Sequence, residues 1–206
     1  SKELGAAPLI GIRARLSSRS TGRWGNSVGD KAKFGLPVPE ILATVEALRE
    51  AGLLDELRLL HFHVGSQIND IGVVKDALQE ASRIYVELHK LGAPMGYLDV
   101  GGGLGIDYDG SRTATAASTN YSLQNYANDV VATVKEGCEP HDVAVPTLVS
   151  ESGRAIASHF SVLVFNVLGT GGLPQTTPSP SDDESLIVRN LHDTLQGIKT
   201  LASDGK

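Results

Sequence analysis

The sequence predicts a parallel α/β fold, an incomplete (β/α)8 barrel with about five of its strands present, and three observations carry that reading. Strand-like stretches begin near residues 8, 57, 97 and 147, at intervals of roughly 40 to 50 residues, room for one strand and one helix each. The segments between them place apolar residues at helical spacing. The strand stretches themselves are nearly continuous apolar runs, the pattern of a sheet covered on both faces. A closed barrel takes eight strands in typically about 250 residues, whereas this chain has 206. An open doubly wound sheet is the alternative architecture.

In chain order, Pro8 to Arg15 reads as the first strand and Leu57 to Gly65 as the second, the latter bounded by Asp55-Glu56 and the Gly65-Ser66 turn. Tyr97 to Val100, Thr147 to Ser150 and Phe160 to Leu168 read as the third, fourth and fifth. Ile41, Val45 and Leu48 share a helical face after Pro37 and Pro39, with Gly52 as the C-terminal cap. Val74, Ala77, Leu78, Ala81, Ile84, Tyr85 and Leu88 form the next such face, ended by Gly92. Leu123, Tyr126, Ala127, Val130 and Val134 form a third, with Asn120 as its N-cap. Ser17 to Asp30, rich in Ser, Gly and Arg, reads as a loop that closes over a ligand. The predicted domains are a partial barrel over residues 1–169, a Pro/Ser/Thr-rich linker over 170–183, and the start of a helical segment over 184–206 on Ile187, Leu191, Leu195 and Ile198.

Composition narrows the function. With 41% hydrophobic and 20% charged side chains the chain can bury a core. A net charge of −6 offers no basic footprint for nucleic acid or an anionic membrane. Cys138 is the only cysteine, which excludes a disulfide framework and a Cys-rich metal cluster and suits a cytoplasmic protein. No apolar run approaches the roughly 20 residues of a membrane span. Both ends read as cut: there is no initiator methionine, and the chain stops in a polar Ser203-Asp204-Gly205-Lys206.

Three runs at the ends of strand stretches carry the chemistry: His61-Phe62-His63-Val64-Gly65-Ser66, Asp99-Val100-Gly101-Gly102-Gly103-Leu104-Gly105 and Glu151-Ser152-Gly153-Arg154. In parallel α/β proteins ligands bind at the carboxyl ends of strands. Glycines let backbone N–H groups approach an anion without a Cβ in the way, which favours phosphate. A dinucleotide fingerprint would want a third glycine where Ile106 stands, with a helix directly after it, and Asp107-Tyr108-Asp109-Gly110 reads as a turn. Alternate strand residues share a face, so His61 and His63 point the same way. One of them could stack on a flat ring, or the two could bind a metal with Glu151 or His159. Glu151 and Arg154 form either a plain salt bridge or a divided pair, Arg154 as a forked donor to phosphate and Glu151 at a ring nitrogen. The divided pair describes pyridoxal phosphate, whose protonated ring withdraws electrons from the substrate Cα.

Taken together, these runs, with Gly11-Ile12-Arg13-Ala14-Arg15-Leu16, Lys31-Ala32-Lys33-Phe34-Gly35-Leu36, Tyr85-Val86-Glu87-Leu88-His89-Lys90-Leu91-Gly92 and Ile187-Val188-Arg189-Asn190-Leu191, resemble the barrel of the alanine-racemase-like (fold type III) pyridoxal phosphate decarboxylases. More narrowly, they resemble the bacterial biosynthetic arginine decarboxylases. The similarity runs from about residue 8 to 198.

The resemblance implies that His63 stacks on the cofactor ring, that Glu151 pairs with its nitrogen, and that Ser66, Arg154 and the amides around Gly102 and Gly103 hold the phosphate. Arg13 would lie near the cofactor. The stretch Leu98-Asp99-Val100-Gly101-Gly102-Gly103-Leu104-Gly105-Ile106-Asp107-Tyr108 would bind substrate. The implied catalytic residues are Glu151 and His63. The implied reaction takes L-arginine to agmatine and CO2 for putrescine and spermidine synthesis, with Mg2+ as a further cofactor and active sites completed by a partner subunit in a homo-oligomer.

One departure stands out. The lysine that carries the cofactor in that family, and the cysteine of its C-terminal domain, have no match here. Lys75, Lys90, Lys135 and Lys199 fall on predicted helices, and Cys138 reads as packing. The stretch alone is therefore expected to be inactive. Alternative readings are a decarboxylase of ornithine, lysine or diaminopimelate, a metal-dependent hydrolase barrel using His61 and His63, and a phosphate-binding module without catalysis.

Overall fold

A computed structural model describes residues 5, 8–17, 33–161, 163–169, 179–181 and 183–203. Four strands, β1 (Ile10–Arg13), β2 (Leu57–His61), β3 (Tyr97–Asp99) and β4 (Thr147–Val149), form one sheet in the order β1-β2-β3-β4. All neighbouring pairs are parallel. The helices are α1 (Val38–Glu50), α2 (Ile71–Lys90), α3 (Leu123–Cys138), the short α4 (Gly153–Ala157) and α5 (Leu186–Ser203). The chain divides into two compact units, Ser1–Val162 and Leu163–Lys206. The first is a strand–helix repeat with successive strands adjacent, as in part of a barrel wall. Among the described residues no helix is long and apolar enough to cross a membrane.

The predicted helical faces are the faces that pack, except that Leu123 and Ala127 at the start of α3 are exposed. Ile41 and Val45 of α1, Val74, Ala77, Leu78, Ala81, Tyr85 and Leu88 of α2, and Tyr126, Val130 and Val134 of α3 are all buried. They meet a row of the sheet made by Ile12, Leu60 and Leu98, which are at most 5% exposed. The next row, Arg13, His61, Asp99 and Val149 in register, points to the opposite face. α2 and α3 approach closely where Ser82 faces Gly137, since a Cβ on Gly137 would lie 2.7 Å from that of Ser82. Cys138 ends α3 fully buried, and burial pushes its thiol upward, as packing requires. Gly52 and Gly92 stand just past α1 and α2 with φ of +66° and +95°.

Three expectations need correction. The apolar run Phe160 to Leu168 makes no strand: its described residues join no sheet, and Phe160 and Leu168 are 92% and 99% exposed. The sheet among the described residues therefore has four strands, not five. Asn120 does not cap α3. Ser122 does, in a capping box with Asn125, while the Asn120 side chain accepts the Ile71 N–H and donates to Asp70, itself the N-cap of α2. The strands also end one to four residues earlier than the apolar runs, so His63 lies just beyond β2. Residues 18–30 of the predicted loop, Lys31 and Ala32, and most of the predicted linker over 170–183 lie outside the described residues.

Candidate functional site

The three runs meet at the carboxyl ends of β2, β3 and β4. Parallel pairing does this: with strand ends in register, the segments leaving β2, β3 and β4 emerge side by side. Backbone bonds continue the pairing past the strands, from Phe62 N–H to Asp99 O (3.1 Å), Val100 N–H to Val149 O (2.9 Å) and Glu151 N–H to Gly101 O (2.9 Å). Gly101 holds a φ of +67°, and a Cβ there would drive into the Phe62 carbonyl oxygen. The position demands glycine because the chain turns left-handed against a neighbouring backbone.

At one end of this platform stand two imidazoles and a carboxylate. The backbone N–H of Gly102 donates to His63 Nδ1 at 3.3 Å, which fixes the ring edge against the glycine run and leaves its proton on Nε2. Desolvation first, and then the positive Arg13, lower the His63 pKa from its ordinary value of 6.5, against the opposing pull of Glu151 and Asp99. The ring is a neutral, flat, half-buried surface at neutral pH. His61 Nε2 lies 3.6 Å from Glu151 Oε2. Arg13 sits beside His61 in register, its guanidinium 5.4 Å from the Phe34 ring centroid.

At the other end Arg154, on α4, donates from Nη2 to Ser66 Oγ (2.9 Å) and from Nη1 to the Tyr108 hydroxyl (3.0 Å). The forked guanidinium thus spans two hydroxyl oxygens, the arrangement in which it would grip an anion. The glycine loop is pinned from outside. Gln67 makes a two-way bond with the Ile106 backbone (3.0 and 2.6 Å). The Tyr121 hydroxyl accepts from Gly105 N–H (3.0 Å) and donates to Ile68 O (2.6 Å). Tyr121 is not expected at the site from the sequence, and Gln67 enters there only as the last residue of the run His61 to Gln67 that carries the family resemblance; no local motif flags a residue that acts by bridging two loops.

Of the stretch Leu98 to Tyr108, the side chains of Leu98, Val100 and Leu104 belong to the core, at 0%, 4% and 5% exposure. What it leaves at least partly exposed is Gly102, Gly103, Gly105 and Ile106, with Asp99, Asp107 and Tyr108. Ser118 donates to Asp107 at 2.5 Å. The metal reading that joined His61 to His63 is not realised among the described residues. The one group close enough to share an ion is His61, Asp99 and Glu151, and His63 is not in it.

The lowered His63 pKa has a measurable consequence. Below 6.5 the unfolded chain binds a proton at this site that the folded chain refuses, so stability rises with pH there. The contribution is complete above 6.5 and is lost as pH falls through the folded value. Urea midpoints of the cofactor-free protein between about pH 5 and 7.5 should climb with pH, and His63→Gln should flatten that climb. An unaltered slope in the variant would contradict it.

The chain is similar to known proteins in sequence and in fold. Residues 2–158 match the family described as pyridoxal-dependent decarboxylase, pyridoxal binding domain. The biosynthetic arginine decarboxylase of Parasynechococcus marenigrum (strain WH8102) is 77% identical over 202 residues, 98% of this chain and 31% of that protein. That of Prochlorococcus marinus (strain MIT 9313) is 72% identical over 198 residues, 96% of this chain and 31% of that protein. The chain thus spans about a third of the length of these curated relatives. Among solved structures, the biosynthetic arginine decarboxylase SpeA from Campylobacter jejuni superposes with a TM-score of 0.61 at 39% identity, over 71% of this chain and 23% of that one. Diaminopimelate decarboxylase from Helicobacter pylori complexed with L-lysine also gives 0.61, at 26% identity, over 75% and 36%. With strand order, glycine turns and family match in agreement, the chain belongs to the pyridoxal-dependent decarboxylases, as part of their pyridoxal-binding barrel.

Proposed function

We propose that the full-length protein decarboxylates L-arginine to agmatine and CO2 with pyridoxal phosphate, feeding putrescine and spermidine synthesis. The observation that carries this reading is the division of the platform into a cationic, hydroxyl-lined end at Arg154, Ser66 and Tyr108 and a carboxylate-and-imidazole end at Glu151 and His63. Those ends match the phosphate and the ring nitrogen of that cofactor. The residues fit the group by their chemistry, a guanidinium with two hydroxyls for an anion and a carboxylate for a ring N–H. Gly102 and Gly103 are held close against neighbouring backbone, where a Cβ would lie 3.0 Å from Glu151 O and 2.5 Å from Gly65 O. When bound, the cofactor supplies an electron-withdrawing ring for the charge left at the substrate Cα as CO2 departs.

In this reading Arg154 and Ser66 bind the phosphate, aided by the backbone at Gly102 and Gly103, and His63 covers one face of the ring. Glu151 accepts the ring N–H, and Arg13 lends positive charge nearby. The backbone of the stretch from Leu98 to Tyr108 borders the substrate. Arginine as the substrate draws support from relatives 61–77% identical that carry the name biosynthetic arginine decarboxylase. Closure by further chain and by a second subunit draws support from the exposure of the site, with Glu151 56% and Tyr108 50% exposed.

Magnesium fits less well. The only candidate ligand group among the described residues includes an imidazole and the same Glu151, whereas Mg2+ prefers an octahedron of oxygens. Of the described lysines, Lys75, Lys90, Lys135 and Lys199 lie on helices, the first three paired with Asp129, Glu87 and Glu139, while Lys33 precedes α1 with its Nζ 5.5 Å from the Phe34 ring centroid. The isolated stretch is expected not to turn over substrate, since none of them matches the lysine that carries the cofactor in the family.

The test is CO2 release by the full-length, cofactor-loaded protein from arginine, ornithine, lysine and diaminopimelate. Arginine should exceed the others at least tenfold in kcat/KM, a difference of about 1.4 kcal/mol. Preference for another of the four would overturn the substrate, and release from none would overturn the reaction.

A further inference from the structure

The inner face of the sheet carries a polar row just below the site. Register sets Arg13 beside His61 and His61 beside Asp99. His61 is the member without a satisfied role. Its side chain is only 17% exposed, and its Nε2 is buried with no hydrogen-bond partner. Buried polar atoms are nearly always paired, so an orphan of this kind calls for a partner that completes it. The nearest acceptor is Glu151 Oε2 at 3.6 Å.

Asp99 makes that contact matter. Its Oδ1 accepts the Gly101 N–H at 2.9 Å, which anchors it at the end of β3. Ligand atoms of His61, Asp99 and Glu151 all lie within 4.8 Å of one another. Two carboxylates that close repel, and an N–H donor beside them offsets the repulsion. The other charged or titratable groups that face this cluster are His63, which interacts electrostatically with all three members, Arg13, which acts on His63 and stands beside His61 in register, and Tyr126, which interacts with Asp99.

We propose that His61 is a positioning residue for Glu151: its Nε2–H donates to Oε2, leaving Oε1 turned toward the ring nitrogen of the cofactor. This inference rests on the reading of Glu151 given above. In this role His61 acts through the carboxylate, 3.6 Å from its Nε2. His63 is held separately, its Nδ1 accepting the Gly102 N–H, and the contact with Glu151 Oε2 is that of His61.

The test compares His61→Gln with His61→Asn in the full-length, cofactor-loaded protein, beside Glu151→Gln. Both replacements keep a polar amide. Only glutamine carries its amide nitrogen about as far from the backbone as Nε2, so only glutamine can still donate to Glu151. His61→Asn should lower kcat about tenfold with KM for arginine changed less than threefold. It should also shift the pH dependence of the bound cofactor's absorbance in the direction that Glu151→Gln does. His61→Gln should stay within threefold of wild type in kcat and keep the wild-type spectrum. A purely structural histidine would lower the melting temperature in both variants and leave both spectra as in wild type, which overturns the proposal. Equal impairment of the two variants overturns it as well. If Glu151→Gln itself leaves kcat and spectrum unchanged, the underlying reading of Glu151 fails. If Glu151→Gln is impaired and His61→Asn is not, only the role of His61 fails.

Discussion

Replacing Glu151 with alanine in the full-length, cofactor-loaded protein should lower arginine decarboxylation by roughly a hundredfold or more, while the cofactor stays bound. The two effects separate because the site has two ends. On the proposed assignment Arg154 and Ser66, bonded to each other at 2.9 Å, hold the phosphate without Glu151, so anion binding should survive the change. What is lost is the proposed acceptor for the ring N–H. Without it the ring holds its proton less firmly and draws less charge from the substrate Cα, and each 1.4 kcal/mol of that stabilisation is about a factor of ten in rate. Glu151→Gln is the sharper version, since it keeps shape and reach and removes only the negative charge. Both should show normal cofactor content by absorbance and a fall in kcat rather than in KM. Turnover within threefold of wild type in either variant would remove Glu151 from the chemistry.

The parts of this molecule legible in the sequence are those that local chemistry decides. The faces of α1, α2 and α3 follow in the main from apolar spacing, which names most of the buried residues there but misses Val73, Ser82, Val86 and Cys138 and includes the exposed Leu123 and Ala127. The strand-end runs are legible because glycine in a left-handed turn and a polar residue past an apolar stretch are local signals. Phe160 to Leu168 shows the limit: an apolar run is equally strand-like whether or not a neighbouring strand is there to pair with it. Asn120 shows another. Asparagine and Ser122 are both good caps by composition, and the choice falls to Asp70 and Ile71, some 50 residues away in sequence, which engage the asparagine. At the site the same rule holds. That His61 and His63 share a face is readable from alternation. That one meets Glu151 and the other the Gly102 amide depends on strand order, which spacing does not encode. Arg154 reaches Ser66 across 88 residues and Tyr108 across 46.

Gly101→Ala should be the most damaging alanine substitution among the described glycines. The residue sits at φ +67°, where a side chain adds strain of order 1 kcal/mol. The added Cβ also meets the Phe62 carbonyl oxygen and would lie 3.2 Å from the His63 Cα. Neither is the end of a flexible side chain, so β2 and β3 must part, an overpacking cost of roughly 1–3 kcal/mol more. The backbone that must give is the one that carries His63 and accepts the Glu151 N–H, so cofactor affinity should fall with stability. Gly110→Ala separates the two contributions: it has a similar φ of +74° with nothing within 4 Å of the new methyl, and should cost only the conformational strain. Thermal denaturation of the full-length, cofactor-free protein should therefore show a clearly larger fall in Tm for Gly101→Ala than for Gly110→Ala, and cofactor titration should show weakened binding only in the former. Equal losses in the two variants would mean that the strand ends yield freely at this point, and that the glycine run is not what holds the imidazole and the carboxylate in place.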